Sequence, residues 1–331
     1  MKILYISSSV GLGHVTRDYR LSLEFKKHGY SLTWITSGIA LEYLKSKGET
    51  VHYISNELKS MGDSFEKFFK HGQMYPGVKN IIDLYKTFSY NKRKINEINL
   101  DAYDAIISDE GWEMLGKINK KTFFITDFEE FSGKFGTIGN YLIRKLNSWY
   151  HDSLAKNTIN YYIGLSSPTQ KNFKYFGQVF THGASYPKTS DKNYILVTLG
   201  GTKAGTSIIH KIKRVEAGIP LMIQNPNCGE SRFNPLSLIA NSSAVICMGG
   251  YGSLIEVSSM KKRAIINVPY NDFEQESNAK LFKGKKGYRV VYMNQDVDYK
   301  NMINGIMEEE PDPPVFKDAA ADIVNDIEIN L

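Results

Sequence analysis

Cysteine is scarce: the 331-residue chain has two, Cys228 and Cys247, with neither a CxxC pair nor the Cys/His spacing of a zinc site. A disulfide framework and a structural zinc are excluded. Cys247 falls in the apolar run 244–248 and reads as a buried, inert thiol, so a reducing cytoplasm is the expected compartment. Long apolar runs are missing too. No stretch approaches the ~18 residues of a membrane span. The apolar start Ile3-Leu4-Tyr5-Ile6 is too short for a signal-peptide core. Neither sign of charge dominates: 41 Lys and Arg against 35 Asp and Glu leave +6, so nucleic acid is not expected as a partner. With 42% apolar and 23% charged residues the chain is neither disordered nor fibrous.

What the sequence has is rhythm. Short apolar runs at 3–7, 32–36, 51–54, 105–108, 123–126 and 161–164 read as strands, with helix-period segments such as 13–28 between most of them. The small, polar segment 183–193 (GASYPKTSDKN) reads as a linker. The rhythm then restarts, with strands predicted at 194–199, 219–224, 244–248 and 264–268. Helices are predicted at 207–214, 252–260, 274–283 and 297–307. The tail 315–331 has helical apolar spacing after the stop signal Pro311-Asp312-Pro313-Pro314. This predicts an α/β protein of two doubly wound parallel-sheet halves.

The first strand runs into SSSVGLGHVTR (residues 7–17), a glycine turn that opens a helix and so offers an anion or hydroxyl site. A nicotinamide-dinucleotide fingerprint is excluded. Thr16 stands where its third glycine belongs, and the second strand ends Ile35-Thr36-Ser37 with no ribose-binding acid. His14, next to Gly13 at the helix mouth, is of the type best suited to take a proton near neutrality; the competing reading is a cap or packing histidine. Asp109, Glu110 and Asp127 follow predicted parallel strands, where α/β crevices form. They read either as alternative bases or as caps of the next helices.

Four features follow the linker in order. LGGTKAG (199–205) is a glycine turn after a strand. MGGYGS (248–253) ends a strand and opens a helix. Glu256 sits one turn in, and DFEQESNA (272–279) starts another helix. Paired glycine loops admit a diphosphate to backbone N–H groups. Glu256 suits a ribose diol, and Glu274 and Gln275 suit sugar hydroxyls.

With GLGHVTR in the first half, and ANSSAVICMGGYGSLIEVSSMKKRAIINVP followed by FEQESNA in the second, the chain resembles the GT-B glycosyltransferases, family 28 above all. The resemblance implies two Rossmann-like domains with an interdomain cleft: 1–186 for the acceptor, 187–310 for a UDP-sugar donor, and a C-terminal helix, 311–331, returning to the first. It implies donor contacts from Gly13, Gly200, Gly201, Thr202, Gly249, Gly250, Gly252, Ser253, Glu256, Glu274, Gln275 and Asn278. His14 is the implied base of an inverting transfer, with no metal and no cofactor beyond the co-substrate. The Glu274-Gln275 pair departs from the family's double glutamine. Asp296-Val297-Asp298 reads as a solvated helix start rather than a metal motif.

Residues 58–94 interleave lysines with Phe65, Phe68, Phe69, Met74, Tyr75, Ile81, Ile82, Leu84, Tyr85 and Phe88. They read either as a peripheral contact with the inner face of the cell membrane or as a helix with its apolar side in the core. The resemblance implies a lipid-linked sugar or glycolipid acceptor. The alternatives in other classes are a UDP-sugar 2-epimerase-like isomerase, which needs paired carboxylates, and a non-catalytic nucleotide-sugar-binding protein.

Overall fold

A computed structural model of the chain describes residues 1–75, 77–115, 121–133, 136–156, 158–181, 193–199, 205–213, 215, 218–224 and 235–331. Cys228, most of the predicted linker and the predicted donor residues Gly200, Gly201 and Thr202 lie outside them. The chain forms two compact units. One comprises Met1–Phe65, Pro76–Val179 and Lys317–Leu331; the other comprises Glu66–Tyr75 and Phe180–Phe316.

In chain order the elements begin with β1 (Lys2–Ser7), α1 (Gly13–Lys27), β2 (Ser31–Ile35), α2 (Gly38–Ser46) and α3 (Met61–Glu66). A hairpin follows, β3 (Phe69–Lys70) and β4 (Gln73–Met74), then α4 (Val78–Ile95). Next come β5 (Ala105–Asp109), β6 (Thr122–Thr126), α5 (Gly136–Leu154), β7 (Thr158–Tyr162) and β8 (Lys174–Tyr175). The second unit continues with β9 (Ile195–Thr198), α6 (Thr206–Ile212), β10 (Leu221–Gln224), α7 (Leu236–Asn241), β11 (Ala244–Met248) and α8 (Tyr251–Ser259). It ends with β12 (Arg263–Val268), α9 (Phe273–Lys280), β13 (Tyr288–Tyr292) and α10 (Tyr299–Met307), before α11 (Ala320–Ile329) closes the chain.

The first sheet has the order β2-β1-β5-β6-β7-β8 and the second β10-β9-β11-β12-β13, all pairs parallel. Strands such as β5 and β11 are buried on both faces, which is why they read as unbroken apolar runs. In each sheet the strand order reverses next to the first strand, at β1/β5 and at β9/β11. In open α/β sheets, ligands bind outside the carboxyl ends of strands at such a point.

Some local expectations are corrected. Residues 51–54 are not a strand. Val51 makes one bridge to Trp34, and the His52 ring then accepts from Ile54 N (3.3 Å), starting a 3₁₀ turn. The tail helix begins only at Ala320. Gln178 N donates to Lys317 O (2.9 Å) and Ala319 N to Gln178 O (2.7 Å), a pairing that holds residues 317–319 extended. The β3–β4 hairpin, unforeseen as a strand pair, joins the second unit. There Met74 N donates to Tyr270 O (2.8 Å) and Tyr270 N to Gly72 O (3.0 Å).

Candidate active site

The first site grows from the register of two strands. Ser7 at the end of β1 is paired with Asp109 at the end of β5, and Ser8 N donates to Asp109 O (2.9 Å). Gly11, with φ +68°, takes the left-handed conformation that turns the chain into α1. His14 is thereby delivered to the top of β5. Its Nδ1 lies 3.1 Å from Asp109 Oδ1, and its Nε2 lies 3.8 Å from Glu110 Oε2.

Arg17, one turn further on the same face of α1, organises this cluster. Its Nε donates to Asp109 Oδ2 (2.6 Å) and its Nη2 to Asp109 Oδ1 (2.6 Å), while its Nη1 donates to Asp127 Oδ2. Nη2 also lies 2.8 Å from His14 Nδ1. Sequence reasoning missed Arg17. The available signal was a cation three residues after a histidine, within the GLGHVTR string already marked. The structure brings His14, Asp109, Glu110 and Asp127 together, all buried.

Burial alone would raise the Asp109 carboxyl, but the guanidinium and His14 more than offset it and hold the group well below the usual carboxylate range. Asp18, which accepts from Tyr5 OH (2.8 Å), goes the other way: burial and the neighbouring Asp109 push it well up. The two neighbouring carboxyls are therefore pushed in opposite directions, Asp109 down and Asp18 up.

Glu110 sits at φ +48°, a left-handed conformation uncommon for a glutamate. It is held there by Glu110 N donating to Ile125 O (3.1 Å) and by Thr126 Oγ1 donating to its Oε1 (3.0 Å). The spacing of His14, Asp109 and Glu110 would suit a metal ion, but Arg17 already engages both Asp109 oxygens and so fills the cation position.

The second unit assembles its own group at the carboxyl ends of β11 and β12. α8 has no side-chain N-cap: Gly250 precedes it, and Gly252 and Ser253 lie in its first turn. Its first N–H groups are therefore open to an anion. A Cβ on Gly249 would lie 3.0 Å from Gln275 O and 3.2 Å from Gln275 Cβ, so glycine lets this loop approach the start of α9 closely. Glu256 is on the second turn of α8, and burial pushes its carboxyl up to about 8. Asp272 caps α9, accepting from Gln275 N (3.2 Å) and Gln275 Nε2 (2.8 Å); burial pushes it up to about 6. Gln275 Oε1 and Asn278 Nδ2 are buried without a partner. Buried polar atoms are nearly always satisfied, so these two stand out on one helix. Glu274 lies in the first turn of the same helix. Asp298 caps α10, accepting from Asn301 N (3.1 Å).

Residues 196–327 match the model of the glycosyltransferase family 28 C-terminal domain. Three solved structures align along nearly the whole chain. SnogD, a glycosyltransferase from Streptomyces nogalater, is 13% identical with a TM-score of 0.58, over 98% of this chain and 99% of that one. MurG from Acinetobacter baumannii is 13% identical with a TM-score of 0.51, over 100% and 99%. The spinosyn rhamnosyltransferase SpnG, in complex with thymidine diphosphate, is 11% identical with a TM-score of 0.59, over 100% and 96%. At these identities the likeness is one of fold. No curated protein matches the chain significantly in sequence.

Proposed function

We propose that this chain is a glycosyltransferase, family 28-like in its C-terminal half, and that it moves a hexosyl group from a UDP-sugar to an acceptor hydroxyl by inverting displacement; the match of residues 196–327 to the family 28 C-terminal domain and the GT-B fold support this. The carrying observation is the buried His14–Asp109 pair at the switch point of the first sheet. With Nδ1–H donating to Asp109, His14 Nε2 is the free base that removes the acceptor proton. The imidazolium so formed lies against Asp109 and Glu110, so its charge is stabilised where it appears. Asp109 orients and stabilises rather than abstracts, because both its oxygens are taken.

The diphosphate is received by the Gly249–Ser253 turn and the uncapped start of α8, whose dipoles favour the leaving charge without invoking a metal. Glu256 accepts from the ribose hydroxyls, and Glu274, Gln275 and Asn278 face the donor sugar. The isomerase alternative needs paired carboxylates at the sugar, and Arg17 ties up two of the three candidates. The acceptor is a lipid-linked sugar or membrane glycolipid, reached through peripheral contact of the α4 region with the bilayer. Among the described residues no helix is long and apolar enough to cross a membrane.

Incubation with UDP-sugars, with and without membrane lipid extract, tests this. UDP release that requires lipid and vanishes in His14→Ala, with UDP affinity retained, is the expected result. Sugar isomerisation without UDP release, or full turnover by His14→Ala, would refute it.

A further inference from the structure

The β3–β4 hairpin is made of first-half sequence, spliced between α3 and α4, yet it belongs to the second unit. Its strands pair Phe69 with Met74 and Lys70 with Gln73, and His71 (φ +53°) and Gly72 (φ +75°) form the turn. Positive φ at both central residues is the tight turn whose twist matches that of the strands. Phe68 and Met74 are buried, so apolar contact seats the hairpin. Gly72 is required on two counts. Its φ is left-handed, and a Cβ there would lie 2.7 Å from Met293 Cβ and 2.8 Å from Met293 O. Met293 follows β13, and its N–H donates to Val268 O (2.9 Å) at the end of β12. The hairpin therefore rests at the carboxyl ends of β12 and β13, the side of the sheet on which α/β proteins bind ligands.

There it takes up both backbone polar groups of one residue. Tyr270 N donates to Gly72 O (3.0 Å), and Tyr270 O accepts from Met74 N (2.8 Å). Tyr270 opens the turn that leads into α9. Asn271 comes next at φ +70°, a left-handed conformation uncommon outside glycine, and its N–H donates to Glu276 Oε1 (2.6 Å). Asp272 then caps α9, with Glu274 and Gln275 directly behind it. A sparsely populated backbone conformation persists where its surroundings over-determine it, and the grip on Tyr270 is such a constraint.

We propose that the hairpin is a positioning element of the donor site: by holding Tyr270 it sets where Glu274 and Gln275 stand against the donor sugar. The inference rests on the UDP-sugar reading above and adds Gly72 and Met74 to the residues on which sugar recognition depends. Both act through the backbone of Tyr270. The diphosphate and ribose are received elsewhere, by the Gly249–Ser253 turn and Glu256. Loosening the hairpin therefore weakens the hold on the sugar and spares the hold on the nucleotide.

Met74→Pro removes the N–H that Tyr270 O accepts, while Met74→Leu keeps that N–H and an apolar side chain. Calorimetric titration with UDP, UDP-glucose and UDP-N-acetylglucosamine reads the effect. Met74→Pro should weaken the better-bound UDP-sugar about tenfold, roughly what one lost hydrogen bond to the sugar costs, and UDP by less than about twofold. Gly72→Ala should give the same split by a different route, and Met74→Leu should bind as the wild type does. In a Glu274→Ala, Gln275→Ala background the sugar contacts are already gone, so Met74→Pro should cost nothing more. Equal losses for UDP and the UDP-sugar would overturn the assignment. So would unchanged affinities in both Met74→Pro and Gly72→Ala, or a full further loss in the Glu274→Ala, Gln275→Ala background. A wild type that binds none of the three nucleotides would instead refute the UDP-sugar reading, and this inference with it.

Discussion

Removing the Arg17 side chain would leave Asp109, Asp127 and Glu110 facing one another in a buried pocket with no cation between them. Breaking a buried pair in this way costs roughly 3–5 kcal/mol. Arg17→Met should therefore lower the melting temperature of the first unit sharply. Arg17→Lys keeps a charge but loses the fork that holds both Asp109 oxygens, and should recover stability only in part. The same residue bears on catalysis, because Arg17 Nη2 and Asp109 Oδ1 both approach His14 Nδ1. With Asp109→Asn the ring is no longer held with its proton on Nδ1, and turnover should fall by about 10²–10⁴ while UDP affinity stays. An unchanged kcat would remove Asp109 from the mechanism. Glu256 supplies a pH test. Its carboxyl is raised from 4.5 to about 8 by burial, so the folded state holds that proton more tightly than the unfolded chain does. Between these values, rising pH therefore costs stability. Glu256→Gln should melt with the wild type near pH 4 and several degrees above it at pH 9, and wild-type affinity for UDP should rise with pH through about 8. Equal melting at pH 9 would show that Glu256 is not desolvated. His14, Asp109, Glu110 and Asp127 could be placed at a crevice from the sequence because each stands at or soon after the carboxyl end of a strand, where a reader of α/β sequences looks. Arg17 could not, because nothing in a helix sequence says which of its cations faces inward.

Among the elements, α4 shows where sequence periodicity stops deciding. The apolar residues of 58–94 read equally as core or as membrane face, since both environments ask for one apolar stripe. The structure divides them. Phe68 and Met74 are buried in the β3–β4 region of the second unit, whereas Val78 (76% exposed), Ile81, Ile82 and Tyr85 (68% exposed) form an i, i+3, i+4, i+7 stripe in solvent. The opposite side of the helix buries Thr87, Asn91 and Ile95 toward its C-terminal end. Lys79 and Lys86 border the stripe. If it rests on anionic bilayers as proposed, Ile81→Ser with Ile82→Ser should reduce binding to phosphatidylglycerol-containing vesicles about tenfold, given the apolar area lost. Lys79→Glu with Lys86→Glu should do so mainly at low salt. Wild-type binding that neither pair alters would place the membrane contact elsewhere. The parallel strands were the easiest elements to read, because burial on both faces leaves no alternation to misjudge. The β3–β4 hairpin, two residues a side, was the hardest.

For the whole molecule, the net charge of +6 hides a division, since residues 308–331 carry eight acids and one base and the rest of the chain carries +13. The structure shows where part of that tail charge goes. Asp318 accepts from Arg20 (2.8 Å), Asp326 from Lys174 (2.6 Å), and Glu328 pairs with His28 (2.8 Å), all within the first unit. These pairs are partly exposed, and such pairs contribute only about 0–1 kcal/mol each. The apolar side of α11 is a stronger hold, because Ala320, Ile323, Val324 and Ile327 are almost wholly buried. Truncating one buried isoleucine costs about 2–5 kcal/mol, more than any one of the ion pairs. The chain thus leaves its second unit and ends as part of the core of the first, with charge selecting the docking place and apolar burial holding it. Ile323→Ala should therefore lower the transition of the first unit by several degrees, whereas Asp326→Asn should move it little. Calorimetry with and without UDP identifies the transitions, since the nucleotide should protect only the unit that carries the Gly249–Ser253 turn. If Ile323→Ala instead lowers the UDP-protected transition, or Asp326→Asn costs as much as Ile323→Ala, then apolar burial is not what anchors the tail.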